Sequence, residues 1–209
     1  MTMPSLIANY KNKVLLNQAK NSYSKLSNAL IMTKGRNGYG SYGELFNNSN
    51  TNDEILEEFS KDLKTIKICK AGQGGCWNWK TKYNKKTYSN GKTVFRNFSS
   101  SSSAILNDGS VILVNKYNHN GDCSWTNTWT QTDDKGNPVK DANGNDIKVS
   151  SSDNRCGSII VDVNGAKGPN QLGADTWDLD VYPDKLSAQY HSFLYDDNLQ
   201  YENYQEGED

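Results

Sequence analysis

Long apolar runs are the first thing this chain lacks. Only 34% of its 209 residues are hydrophobic, and no stretch approaches the roughly eighteen consecutive apolar residues of a membrane-spanning helix. The residues given therefore predict no span. Histidine is almost missing: His119 and His191 are the two in the chain. Acid–base and Ser-His-Asp chemistry have little to draw on, and no nucleophile elbow surrounds any serine. The cysteines show neither zinc-finger nor CxxC spacing, which argues against a structural zinc and a thioredoxin-like centre. The glycine-rich segment Gly35 to Gly43 lacks the GK[ST] ending of a phosphate loop and follows a helical pattern rather than a strand. An enzyme is not expected, and no cofactor is required.

What is present begins with an uneven charge distribution. The net charge is -1, yet residues 1–40 carry Lys11, Lys13, Lys20, Lys25, Lys34 and Arg36 with no acid. From Asp175 to Asp209 there are ten acids against Lys185 alone. Either the chain ends meet electrostatically, within one molecule or between neighbours, or two charged faces are separately solvated.

The organising stretch runs from Pro4 to Thr33. Its proline stands where a helix tolerates one, and Ile7, Tyr10 and Val14, then Leu15, Ala19, Tyr23, Leu26 and Leu30, recur at helical spacing. Gly35 and Gly38 supply the stop. A second helix is predicted from a Thr51 or Asn52 cap, with Asp53 and Glu54 in its first turn. Its apolar face would be Ile55, Leu56, Phe59, Leu63 and Ile66, ending near Cys69.

From Trp77 the period changes to two. Thr93 to Phe98 reads as a strand and Ser99 to Ser103 as a connector. Ala104–Leu106 and Val111–Val114 read as a hairpin turning at Asp108-Gly109. Residues 118–155 form a polar insertion with Trp125 and Trp129 as its only large apolar groups, predicted to hold two turns flanking a short strand pair. Cys156 to Val163 and Trp177 to Val181 read as two further strands around a glycine-rich loop.

The even number of cysteines in a loop-rich chain favours an oxidising compartment. Three pairings are open, and the sequential one is favoured: Cys69 to Cys76 and Cys123 to Cys156. By chain entropy the loops of eight and thirty-four residues would contribute roughly 2.5 and roughly 3.8 kcal/mol.

Two segments carry a resemblance. Met1-Thr2-Met3-Pro4-Ser5-Leu6-Ile7-Ala8-Asn9-Tyr10 is similar to the middle of the N-terminal helix of type IV pilins and type II secretion pseudopilins, with Pro4 at the kink proline. Asp162 to Trp177, of pattern DVNGxKGPNxxGxDxW, resembles a C-terminal segment of bacterial proteins bearing that helix. The glycine cleavage site, the following phenylalanine and glutamate, and the apolar first half of the helix are not among these residues, so the chain would start inside that helix. The resemblance implies an α+β, pilin-like fold: a long N-terminal helix on a small antiparallel sheet with disulfide-stapled loops. It implies residues 1–34 as the amphipathic half-helix, 35–182 as the globular head and 183–209 as an acidic extension. The implied function is structural, as a minor pilin or pseudopilin of a type IV pilus or type II secretion filament. Its implied partners are other subunits, met through the helix, and an inner-membrane assembly platform. The implied place is extracytoplasmic, at the cell surface or in the periplasm, with membrane anchoring before assembly.

Asp162, Asn164, Asn170 and Asp175 gather hard oxygen donors on one loop, and pseudopilins carry calcium in a C-terminal loop. The same residues can instead shape an Asx turn and an Asn-Gly bend, and the EF-hand pattern fails because Gly173 stands where its glutamate would. Both readings stay open. The alternative function is a surface or secreted adhesin binding carbohydrate or protein through Trp77, Trp79, Trp125, Trp129, Trp177 and the tyrosines. A DNA-binding minor pilin is a further alternative, but in the family the helix faces the filament interior, and nucleic acid is not expected as a partner.

Overall fold

A computed structural model describes residues 3–83, 94–117, 119, 121–188 and 199. Helix α1 spans Met3–Asn37. It ends where Gly38 turns to positive φ and the Tyr39 N–H donates to Lys34 O at 3.0 Å, the αL termination expected of glycine. Its buried stripe is Leu16, Ala19, Ser22, Leu26, Ala29, Leu30 and Thr33, whereas Ile7, Tyr10 and Val14 are 56%, 70% and 37% exposed. The predicted apolar run is thus split: Ile7, Tyr10 and Val14 face solvent, and the buried stripe begins at Leu16.

A short helix α2 (Tyr42–Leu45) follows, then α3 (Asn52–Ser60), where Thr51 and Glu54 form a reciprocal capping box. The second helix is shorter than the sequence predicts. Thr65–Cys69 is strand β1, and Ile66 is 69% exposed rather than on a helix face. The run Thr65-Ile66-Lys67-Ile68 is rich in β-branched residues, which lose χ1 freedom in helices and suit a pleated edge. Arg36 anchors α1 to α3 by gripping Glu58 and Asp62, and Thr33 Oγ1 donates to Asp62 at 2.8 Å.

The remaining strands are β2 (Lys80–Tyr83), β3 (Val94–Asn97), β4 (Ser103–Leu106), β5 (Val111–Lys116), β6 (Trp125–Thr130), β7 (Lys148–Asp153), β8 (Gly157–Asp162), β9 (Thr176–Val181) and β10 (Leu186–Ser187). Six of the ten form one antiparallel sheet in the order β1-β4-β5-β8-β9-β10, while β2-β3 and β6-β7 are separate two-stranded ribbons. The expected α+β, pilin-like class with a small sheet is overturned by this content: the chain is sheet-rich, at 32% strand against 25% helix. Residues 65–69 are strand and not the end of a helix, and in the polar insertion the strand pair β6–β7 flanks the two turns instead of lying between them.

Alternation sends Ile112, Val114, Ile159, Val161, Trp177, Leu179 and Val181 toward the helices. Val111, Leu113 and Ile160 meet Trp77, Tyr83, Phe98 and Leu172 on the other face. The hairpin turn places Gly109 at φ 86, as an Asp-Gly turn requires. Both sequential disulfides form, Cys69–Cys76 and Cys123–Cys156, which points to an oxidising, extracytoplasmic environment. Buried His119 supports the second bridge. Its Nδ1 accepts from the N–H of Gly121 at 3.0 Å and of Cys123 at 3.2 Å, which leaves Nε2 to donate to Phe46 O at 2.9 Å.

The insertion is a projecting finger. Its tip contains two turns built alike, in segments 133–140 (DDKGNPVK) and 141–148 (DANGNDIK). Asp133 Oδ1 accepts from the N–H of Lys135 and Asn137, and Asp141 Oδ1 from those of Asn143 and Asn145. Between them, Val139 N donates to Gln131 O at 2.8 Å, Ile147 N to Val139 O at 2.9 Å, and Gln131 N to Ile147 O at 2.9 Å. His191 and most of the acidic extension lie outside the described residues. Among those described, Lys25 of α1 pairs with Asp108, and Arg36 with α3.

Candidate cation site in the β8–β9 loop

Strand β8 delivers Asp162 at its end, and the loop returns through Asp175 into β9. Both aspartates are fully buried. The Val163 N–H donates to Asp175 O at 2.8 Å, closing the loop base. Asp162 Oδ2 accepts from the Trp79 indole Nε1 at 3.0 Å and from Thr176 Oγ1 at 3.4 Å, and its Oδ1 accepts from Asn164 N at 3.2 Å. Asp175 takes the N–H of Asn170 on Oδ2 and of Gln171 on Oδ1, each at 2.7 Å. Asn170 sits at φ 50, a left-handed conformation asparagine tolerates better than most residues.

The electrostatics are unusual for carboxylates. Burial, then the facing charge of Asp175, pushes Asp162 up to about 8. Burial pushes Asp175 up to about 6, against the N–H groups of Gln171 and Asn170 and the Asn164 amide, which pull it down. Two carboxyls this close and this dry resist ionising together.

The turn reading accounts for the N–H donors but not for the leftover acceptors. The Oδ1 atoms of Asn164 and Asn170 are buried and accept no hydrogen bond among the described residues. Two carboxylates and two amide oxygens make an all-oxygen set with a charge of minus two when ionised, which suits calcium and not zinc. Among the described residues no cluster of three or more His, Cys, Asp or Glu forms, so only two anionic ligands are on offer. The donor types are those calcium takes, and each carboxylate oxygen of the pair also accepts a hydrogen bond from the protein.

All four predicted metal-ligating residues thus belong to one loop, and two of them form its buried core. Sequence reasoning missed Trp79, which comes from 83 residues upstream to donate to Asp162. Its alternation with Trp77 was the available signal: Trp77 is fully buried and stacks on Trp79 with ring centroids 5.6 Å apart. No protein-family model matches the chain, no curated protein is similar to it, and no solved structure is.

Proposed function

We propose that the chain is a structural subunit of a bacterial extracytoplasmic filament, a minor pilin or pseudopilin of a type IV pilus or type II secretion system. The observation that carries the reading is the division of α1. One stripe, from Leu16 to Thr33, is buried against the domain, while Ile7, Tyr10 and Val14 before it, and Ile31 and Met32 beside its end, hold apolar side chains in solvent. Apolar side chains on a projecting helix cost solvation unless a partner covers them, and neighbouring subunits of a helix-cored filament would do so. The resemblance of residues 1–10 and 162–177 to that family adds to the reading. The partners are then other subunits, met through α1, and the inner-membrane platform that assembles them.

Within this reading Asp162, Asn164, Asn170 and Asp175 hold calcium. The ion would neutralise the paired carboxyls and fix the loop between β8 and β9, a structural and not a catalytic role.

The test is assembly in the native host, followed with an antibody to the folded domain. The protein should be recovered in sheared surface filaments or the membrane fraction. Tyr10→Asp, at a site with no packing role in the isolated domain, should abolish incorporation without changing the melting temperature. Recovery of the wild type only as free protein in the medium would overturn the proposal, as would normal incorporation of Tyr10→Asp.

A further inference from the structure

We propose that the finger and its root form a binding site for a neutral oligosaccharide. At the root, Lys116, Tyr117, Trp125 and Arg155 line a cleft of about 540 Å³, within the size range of small-molecule sites. Trp125 is half-buried there, and its indole Nε1 is shielded from solvent without a hydrogen-bond partner among the described residues. A shielded, unused donor is costly and is relieved by a ligand acceptor.

The site continues along β6. Period two puts Trp125, Asn127 and Trp129 on one face, opposite Asp153, Ser151 and Val149 of β7. Trp129 is 45% exposed. Four residues of strand separate the two tryptophans by about 13 Å, with an amide and a hydroxyl between them. Neither β6 nor β7 has a fully buried residue, so these rings are not held outward by packing of the ribbon on the core.

The charges choose the ligand. Arg155 is already neutralised by Asp153 at 2.6 Å and Asp180 at 3.2 Å, and its guanidinium lies over the Tyr117 ring at 5.5 Å. Lys116 Nζ donates to Asn48 O at 2.7 Å. Lys116 and Arg155 against Asp153 and Asp180 leave the root without net charge, so the cleft offers an anion little. Flat aromatic faces with hydrogen-bonding groups between them suit the alternating C–H faces and hydroxyls of a pyranose chain.

The site is independent of the filament reading and can be tested on the purified full chain. Isothermal titration with maltohexaose, chitohexaose and hexagalacturonate, each to about 10 mM, supplies two neutral probes and one anionic one. At least one neutral hexasaccharide should bind saturably, and hexagalacturonate should bind more weakly. Trp129→Ala, at an exposed site, should weaken that binding by about tenfold or more with an unchanged melting temperature, and Trp125→Phe should weaken it as well. Failure of both neutral probes to bind, tighter binding of hexagalacturonate, or unaltered binding by Trp129→Ala overturns the proposal. Capture of a protein partner through Trp129 without any sugar binding would likewise overturn it, in favour of a protein-docking face.

Discussion

Trp79 and Asp162 are joined by an indole N–H donated at 3.0 Å across 83 residues of sequence. The bond ties the loop that carries the candidate ligands to the segment just after the Cys69–Cys76 bridge, on the far face of the sheet. Because Asp162 is fully buried, its charge state and its ligation should be readable in the stability of the whole domain.

Calcium should bind and stabilise. Calorimetric titration at millimolar calcium should give measurable heat, and the melting temperature should rise. At a calcium concentration a hundred times Kd the gain is about 2.7 kcal/mol. Asp162→Ala should abolish both effects. No heat and no thermal shift in the wild type would return the loop to a turn held by hydrogen bonds alone.

Without calcium the same pair should make the protein acid-preferring over part of the pH range. Both carboxyls lie above the ordinary value of 3.8 in the fold, at about 8 for Asp162 and about 6 for Asp175. The fold therefore favours their protonated forms. That contribution is complete below about pH 4 and is lost as pH rises through the two folded values. In EDTA the melting temperature should fall between about pH 5 and pH 8, and Asp162→Asn should flatten the fall. A wild-type melting temperature that rose across that interval would contradict the raised pair.

Gly157 should tolerate no side chain. A Cβ there would lie 2.3 Å from Asn115 O and 2.6 Å from Phe46 Cδ1, where strand β8 pairs with β5 beside the Cys123–Cys156 bridge. Gly157→Ala should cost about 1–3 kcal/mol, the usual range for overpacking, measured by urea denaturation. An unchanged midpoint would mean that β8 and Phe46 can separate without loss.

The two halves of α1 should differ sharply in mutational cost. Leu26 and Leu30 are fully buried, and truncating either to alanine should cost about 2–5 kcal/mol. Tyr10→Ala should stay within about 0.5 kcal/mol, as exposed sites do. Equal costs at Leu30 and Tyr10 would show that the first turns pack on the domain after all.

Much of this organisation was legible in local chemistry. The capping residues at Thr51 and Glu54, the Asp-Gly turn before Val111 and the glycine after α1 each specify geometry within a few residues, and the structure adopts each one. Burial along α1 was not legible, because period 3.6 marks an apolar face without saying how far the sheet extends beneath it. Ile7 and Leu30 carry the same signal and meet different surroundings. β1 is hidden because Ile66 continues the helical spacing of Leu63, while its branched side chain, like that of Ile68, favours a strand. At the candidate site the oxygen donors stood together in sequence, but the raised carboxyls come from burial, a tertiary property, and Trp79 came from another segment.

The three backbone bonds among Gln131, Val139 and Ile147 close on themselves: each residue gives one N–H and takes one, at a repeat of eight residues. A cycle of this kind has no loose end and no room for a fraction of a unit. Removing residues 133–140 would take out Val139 and leave the Ile147 N–H and the Gln131 O to pair with each other, as the next rung of the β6–β7 ladder, whereas inserting one or two residues would break the hand-off. The tip of the finger is therefore countable. Its length can change by a whole octapeptide but not by gradual slippage, so the reach of the finger changes in discrete steps.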